Sequence, residues 1–168
     1  MTTPRKTKED LLSIWARPKN ILVAVDGSKY GDAAMDWAIE NLCGEADILH
    51  LVYCYTPMEE FVDLEDGIVF SPSQKDQEAL RAKAEAVLRD AVVRCVGEEP
   101  HIKHEQHLLA GDPRMCISEL ADKINADAVV VGCRGRGAIT RAVLGSVSTW
   151  LSHHLTKPLV IVRPQDEQ

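Results

Sequence analysis

Several features that would settle the class of this 168-residue chain are missing from it. No apolar run reaches the roughly 20 residues of a membrane-spanning helix. The N-terminal stretch MTTPRKTKEDLLSIWARPKN is polar and of mixed charge, so a secretory leader is not expected. Basic charge is in deficit, with 19 Lys and Arg against 26 Asp and Glu and a formal net charge of −7. Phosphate backbones and anionic membrane surfaces recruit excess Lys and Arg, so neither nucleic acid nor a membrane is an expected partner. The cysteines number five, an odd count, and no two form a C-x-x-C pair. A disulfide framework or zinc knuckle is therefore not expected, and a reducing cytoplasm is the expected location.

The apolar share of 45% and the charged share of 27% suit one globular domain with a sizeable core. Residues 1–18 read as an extension in which Leu11, Leu12, Ile14 and Trp15 can form an amphipathic turn, and 19–166 read as the domain. Strand and helix patterns then alternate. The run ILVAV at 21–25 has no polar alternation, the mark of a strand buried on both faces. Residues 46–55, 102–109, 128–131 and 159–162 are the other strands. Between them, Ala34, Trp37, Ala38 and Leu42 recur at helical spacing, with Gly44 as the stop. Leu80, Ala84, Val87, Leu88, Ala91 and Cys95 mark a second helix, with Pro72 as its first residue. Asp112 followed by Pro113 is a cap and first turn, with Ile117, Leu120, Ala121 and Ile124 as the buried stripe. The last helix runs 146–154. The acidic stretch 57–74 reads as a long loop of the functional or mobile kind.

Alternating strands and helices imply parallel pairing with right-handed crossovers. The expected fold is an α/β open five-stranded parallel sheet with helices on both faces. Its ligand would sit beyond the carboxyl ends of the first and fourth strands, at the switch point. The first strand ends in Asp26-Gly27-Ser28. The fourth ends in Gly132-Cys133-Arg134-Gly135-Arg136-Gly137, and Gly145-Ser146 opens the last helix. Glycines allow close backbone approach, and a helix N-terminus with a nearby hydroxyl suits phosphate. A glycine-rich loop that only solves turn geometry is an equally good reading of this motif taken alone. No lysine follows the glycine as a P-loop needs, and the first turn has a single glycine where a dinucleotide fingerprint needs more. No G-x-S-x-G elbow is present, and no catalytic residue is assigned. Arg134, Arg136 and Arg141 read as phosphate partners or as solubilising charge. His101, His104 and His107 do not converge, because alternation sends His104 to the opposite face, so no metal site is expected there. His153 and His154 suit the carboxyl end of the last helix dipole.

The spacing Gly132-x-x-Gly135, nine residues, then Gly145-Ser146 resembles the ATP-binding branch of the universal stress protein family. NILVAVDGS, LLAGDP, DAVVVGCRGRG and KPLVIVRP extend the resemblance over residues 20–164. It implies binding of ATP, or of AMP or ADP, with Mg2+ or Mn2+ as metals that could accompany the triphosphate. By position, Asp26 would meet the ribose hydroxyls, and Ala24 and Cys54 would border adenine. Val131 and Gly132 would line the sugar side. Gly135, Gly145, Ser146 and Val147 would hold phosphates, with Ser148 as a further hydroxyl. The resemblance also implies a homodimer through the last strand, Leu159–Val162. A stress-response role through nucleotide-dependent partner switching is the leading expectation. A nucleotide-free dimeric scaffold and a slow ATPase are the alternatives.

Overall fold

The unbroken apolar run beginning at Ile21 becomes the central strand of a sheet covered on both faces, as its lack of alternation requires. The computed structural model describes residues 17–62, 69–98, 101–135 and 144–164. In chain order its elements are β1 (Asn20–Ala24), α1 (Lys29–Asn41), β2 (Ile48–Tyr55), β3 (Phe61–Val62), β4 (Val69–Phe70), α2 (Gln74–Glu98), β5 (Lys103–Ala110), α3 (Pro113–Lys123), β6 (Ala128–Gly132), α4 (Ser146–His154) and β7 (Leu159–Val162). The five-stranded sheet has the order β5-β2-β1-β6-β7, and every pairing in it is parallel. None of the described helices is long and apolar enough to cross a membrane.

Alternation along the strands divides the core into two layers. On one face Ile21, Val23, Leu49, Leu51 and Val130 pack against Met35 and Ala38 of α1 and Leu88, Ala91 and Cys95 of α2. On the other, Leu22, Val52, Val129 and Val131 pack against Ile117, Leu120 and Ala121 of α3 and Leu151 of α4. Each fully buried Leu, Ile or Val contributes about 1.5–3 kcal/mol, so both layers hold the strand ends firmly.

Local details depart from the sequence expectations at three places. Within 57–74, read as loop, β3 and β4 pair antiparallel. Helix α2 begins at Gln74 and not at Pro72. The Ser73 hydroxyl accepts the Asp76 N–H at 3.2 Å and the Asp76 carboxylate accepts the Ser73 N–H at 3.2 Å, a reciprocal cap that places the start after the proline. Helix α1 ends at Asn41 with Leu42 as its cap. Gly44 instead donates its N–H to Asp47 Oδ2 at 2.8 Å and has no left-handed conformation. By contrast, Asp112 accepts the Arg114 N–H at the start of α3 with Pro113 in its first turn, as the sequence predicts.

The amino end of β1 is pinned from both sides. Asp47 Oδ1 accepts the Lys19 N–H at 2.8 Å, while its Oδ2 pairs with Lys19 Nζ at 3.0 Å. Asp127 Oδ2 accepts the Asn20 N–H at 2.9 Å, and the same carboxylate pairs with Arg17. Burial pushes both acids upward, but the hydrogen bonds and cations outweigh it and hold both below the usual carboxylate range.

Candidate functional site

At the carboxyl end, β1 and β6 are neighbours whose following helices lie on opposite faces of the sheet, α1 on one and α4 on the other. The strands diverge into a cleft of about 400 Å³, within the range of small-molecule pockets. All ten residues expected to bind ligand line it: Ala24, Asp26 and Cys54 from the first two strands and their ends, Val131, Gly132 and Gly135 from β6 and its loop, and Gly145, Ser146, Val147 and Ser148 from the start of α4.

The Asp26 carboxylate is built into a turn. Its Oδ1 accepts the Ser28 N–H at 3.0 Å and the Ser28 hydroxyl at 2.6 Å. The Ser28 oxygen in turn accepts the Gly31 N–H at 3.2 Å and so caps α1. Gly27, at φ 71°, lets the chain make this turn. Two glycines leave room around the acid. A Cβ at Gly31 would lie 2.8 Å from Asp26 Oδ1, and one at Gly135 would lie 2.6 Å from Oδ2.

Gly132 has a different reason to be glycine. A Cβ there would lie 2.7 Å from the backbone carbonyl carbon and oxygen of Tyr30. The close approach is between β6 and the start of α1, so the absent side chain lets helix meet sheet.

The opposite wall is the amino end of α4. Gly145 is its N-cap with no side-chain hydrogen bond, and no acidic residue lies in the first turn. The Gly145 N–H donates to the Cys133 carbonyl at 2.8 Å. The first N–H groups of such a helix lack intrahelical partners and carry partial positive charge. Ser146 is exposed at this end. Ser148 is buried, and its hydroxyl lies 3.2 Å from the Cys133 carbonyl and 3.0 Å from that of Gly145, to one of which it donates.

Between these walls the floor is apolar. Ala24, Val52 and Ile117 line it with Cys54, whose thiol burial pushes up to about 12, with Cys116 and Asp112 adding to the rise. The thiol is therefore neutral and acts as a small hydrophobic group. All five cysteines are free. Arg134 lies at the rim, its guanidinium carbon 5.7 Å from the Tyr30 ring centroid and its Nη1 3.3 Å from the Tyr30 hydroxyl. Arg136, Gly137 and Arg141 lie outside the described residues.

Sequence reasoning did not single out Gly31, Tyr53, Pro113 or Ile117, which also line the cleft. The Asp112-Pro113 cap was the available signal for the last two, since it places the start of α3 beyond the same strand ends. Elsewhere, His154 accepts no new role: its ring stacks on Trp150 at 4.2 Å, and its Nδ1 donates to the Trp150 carbonyl at 2.8 Å. His104 and His107 fall on opposite faces of β5, as alternation requires, since Leu108 packs in the α2 layer and Leu109 in the α3 layer.

Fold and cleft together define a doubly wound α/β protein with a ligand-sized cavity at its topological switch point. The chain belongs to the universal stress protein family, whose profile matches residues 18–163. A universal stress protein of Mycolicibacterium smegmatis is 29% identical over 88% of this chain and 49% of its own length. PHOS34, a universal stress protein of Arabidopsis thaliana, is 28% identical over 89% of this chain and 64% of its own. The chain thus spans less than two thirds of these two relatives. A universal stress protein of Synechocystis sp. is 29% identical over 85% of this chain and 96% of its own length.

Solved structures share the fold. A hypothetical protein whose biochemical function was assigned from its structure superposes with a TM-score of 0.69 at 18% identity, covering 89% of this chain and 98% of that one. A universal stress protein in complex with cAMP gives 0.63 at 26%, covering 88% and 98%. An Arabidopsis thaliana family member with AMP bound gives 0.59 at 19%, covering 89% and 94%.

Proposed function

We propose that the cleft binds an adenine nucleotide, ATP or its AMP and ADP counterparts, and that the protein acts in the stress response by presenting different surfaces to partners in its empty and filled states. One observation carries this reading: an acid on a rigid turn and an uncapped helix N-terminus face the same apolar-floored cleft. Asp26 meets the ribose hydroxyls, and Ala24 and Cys54 border the base. Val131 and Gly132 flank the sugar. Gly135, Ser146, Val147 and Ser148 take the phosphates, largely through N–H groups, and Gly145, whose own N–H goes to the Cys133 carbonyl, lets the phosphates approach the helix start. The related structures with cAMP and AMP support the ligand class.

The donor set suits phosphate oxygens better than a metal cage. Among the described residues no group of His, Cys, Asp and Glu side chains at the cleft is arranged to hold an ion. Mg2+ or Mn2+ would therefore come bound to the triphosphate. No described residue at the phosphate end is placed as a general base, which favours binding over turnover.

The proposal includes a cytoplasmic homodimer built from the domain at 19–166. In the sheet order β7 is an outer strand with β6 as its single neighbour, and Leu159, Val160 and Ile161 are only partly buried. Apolar edges of this kind seek partners.

Calorimetric titration of the intact chain with ATP tests the nucleotide reading. Saturable binding is expected, weakened at least about tenfold, or 1.4 kcal/mol, in Gly135→Val, because the new side chain would occupy the space beside Asp26 Oδ2. Absence of saturation at millimolar ATP, AMP and ADP would remove the proposal.

A further inference from the structure

A second polar cluster lies on the α3 face of the sheet, outside the cleft. His50 of β2 stands beside Glu105 of β5 in register, and His107 follows two residues later on the same face. His50 Nδ1 is 3.0 Å from His107 Nε2 and 3.5 Å from Glu105 Oε2, and the last two atoms are 4.0 Å apart. Ligands around a tetrahedral ion with bonds of about 2.0–2.2 Å lie roughly 3.3–3.5 Å from one another. The three measured separations straddle that value. It is the one such group among the described residues.

Hydrogen-bond accounting aims the lone pairs inward. The Asn20 amide donates its Nδ2–H to the Ile124 carbonyl at 2.8 Å, which turns its Oδ1 toward His50 Nε2 at 3.3 Å. His50 therefore donates from Nε2, and its Nδ1 is left with a lone pair facing His107 and Glu105. Two imidazole nitrogens and a carboxylate oxygen then converge, with a single N–H hydrogen, that of His107 Nε2, to share among them. An outer hydrogen bond that fixes the tautomer of a ligating histidine is how metal sites orient their ligands.

We propose that His50, Glu105 and His107 bind a divalent transition-metal ion of the zinc type, with solvent completing the coordination. The His50 side chain is 5% exposed and anchors the ion from below, while the Glu105 side chain, 57% exposed, leaves an open route to solvent. Metal entry requires only that His107 move its hydrogen from Nε2 to Nδ1. Burial holds both imidazoles below the usual histidine range, against the opposing pull of Glu105, and Lys123 lowers His107 further. A hydrogen-bonded histidine pair with no further role is the competing account, and it predicts no metal affinity.

The test uses the intact, tag-free, reduced chain after removal of metals with a chelator. Zinc is titrated in competition with a chromophoric chelator. A single tight equivalent is expected, weakened at least about tenfold in His107→Gln and Glu105→Gln and unchanged in His104→Gln, which alters the opposite face of the same strand. The cobalt(II) form of the unmutated chain should show ligand-field bands without thiolate charge transfer, a readout that does not depend on how the variants fold. No stoichiometric zinc, equal affinity in His107→Gln, or a thiolate band would each overturn the assignment.

Discussion

The two ends of β1 use similar chemistry for opposite purposes. At the amino end, the carboxylates of Asp47 and Asp127 are engaged by backbone N–H groups of Lys19 and Asn20 and by the side chains of Lys19 and Arg17. At the carboxyl end, Asp26 engages Ser28 through Oδ1, and Gly31 and Gly135 lie so close to its two oxygens that neither position has space for a Cβ. Across from it stands a helix start with no side-chain cap. One end is closed by reciprocal bonds that stabilise the fold. The other opens on a cleft beside a helix start that has no side-chain cap. Polar groups placed at strand ends therefore divide by what is left around them, and substitutions at the two ends should divide in the same way.

The largest expected effect cuts across that division. Gly132 lines the cleft, yet a methyl group there would collide with the Tyr30 backbone. Backbone yields less easily than a side chain, so Gly132→Ala should cost about 2–3 kcal/mol of stability, read as a lower urea midpoint. Undiminished stability would mean that β6 and α1 can separate freely, and Gly132 would then belong wholly to the ligand side.

Asp47→Ala tests the closed end. It leaves the Lys19 and Gly44 N–H groups without their acceptor and removes the ion-pair partner of the Lys19 ammonium, which keeps the Leu42 carbonyl at 2.7 Å, and about 2 kcal/mol of stability should be lost at neutral pH. The pH dependence has a definite sign. The folded carboxyl holds its proton less tightly than the unfolded one. Its contribution is complete above the unfolded value of about 3.9 and is lost as pH falls through the depressed folded value. Urea titrations of the parent and the variant should therefore converge in acid. A gap that stayed constant with pH would show that the loss came from packing and not from charge.

How much of this was legible beforehand follows from what each feature depends on. The main strands and helices announce themselves through local pattern, as in the unbroken run at Ile21 and the Asp112-Pro113 cap. The ten cleft residues were legible through glycine-serine spacing and family resemblance, and the fold brings them together. The reason for Gly132 was not legible, because it lies in the backbone of Tyr30, on another element. His50 was missed for a related cause: its partners sit on β5, and register between strands is not written in either strand alone. The two-residue strands β3 and β4 are too short to carry a period. Ser73 was overlooked because Pro72 offers a plausible start of its own, whereas the reciprocal bond to Asp76 decides the boundary.

The smallest expected effects separate two neighbouring serines on α4. The buried Ser148 hydroxyl donates either to the Cys133 carbonyl, just after β6, or to that of Gly145 at the helix's own N-cap, and either bond holds the first turn of the helix in place. Ser148→Ala should cost about 1 kcal/mol, and no more, because the Cys133 carbonyl keeps the Gly145 N–H at 2.8 Å. Ser146 is exposed one turn edge away, so Ser146→Ala should leave stability within about 0.5 kcal/mol. Its cost should appear as a few-fold loss of ATP affinity, about 1 kcal/mol for one hydroxyl contact. Paired urea and calorimetric titrations of the two variants read both quantities. Equal stability losses in the two variants would erase the distinction between a hydroxyl that holds the helix in place and one that faces the cleft.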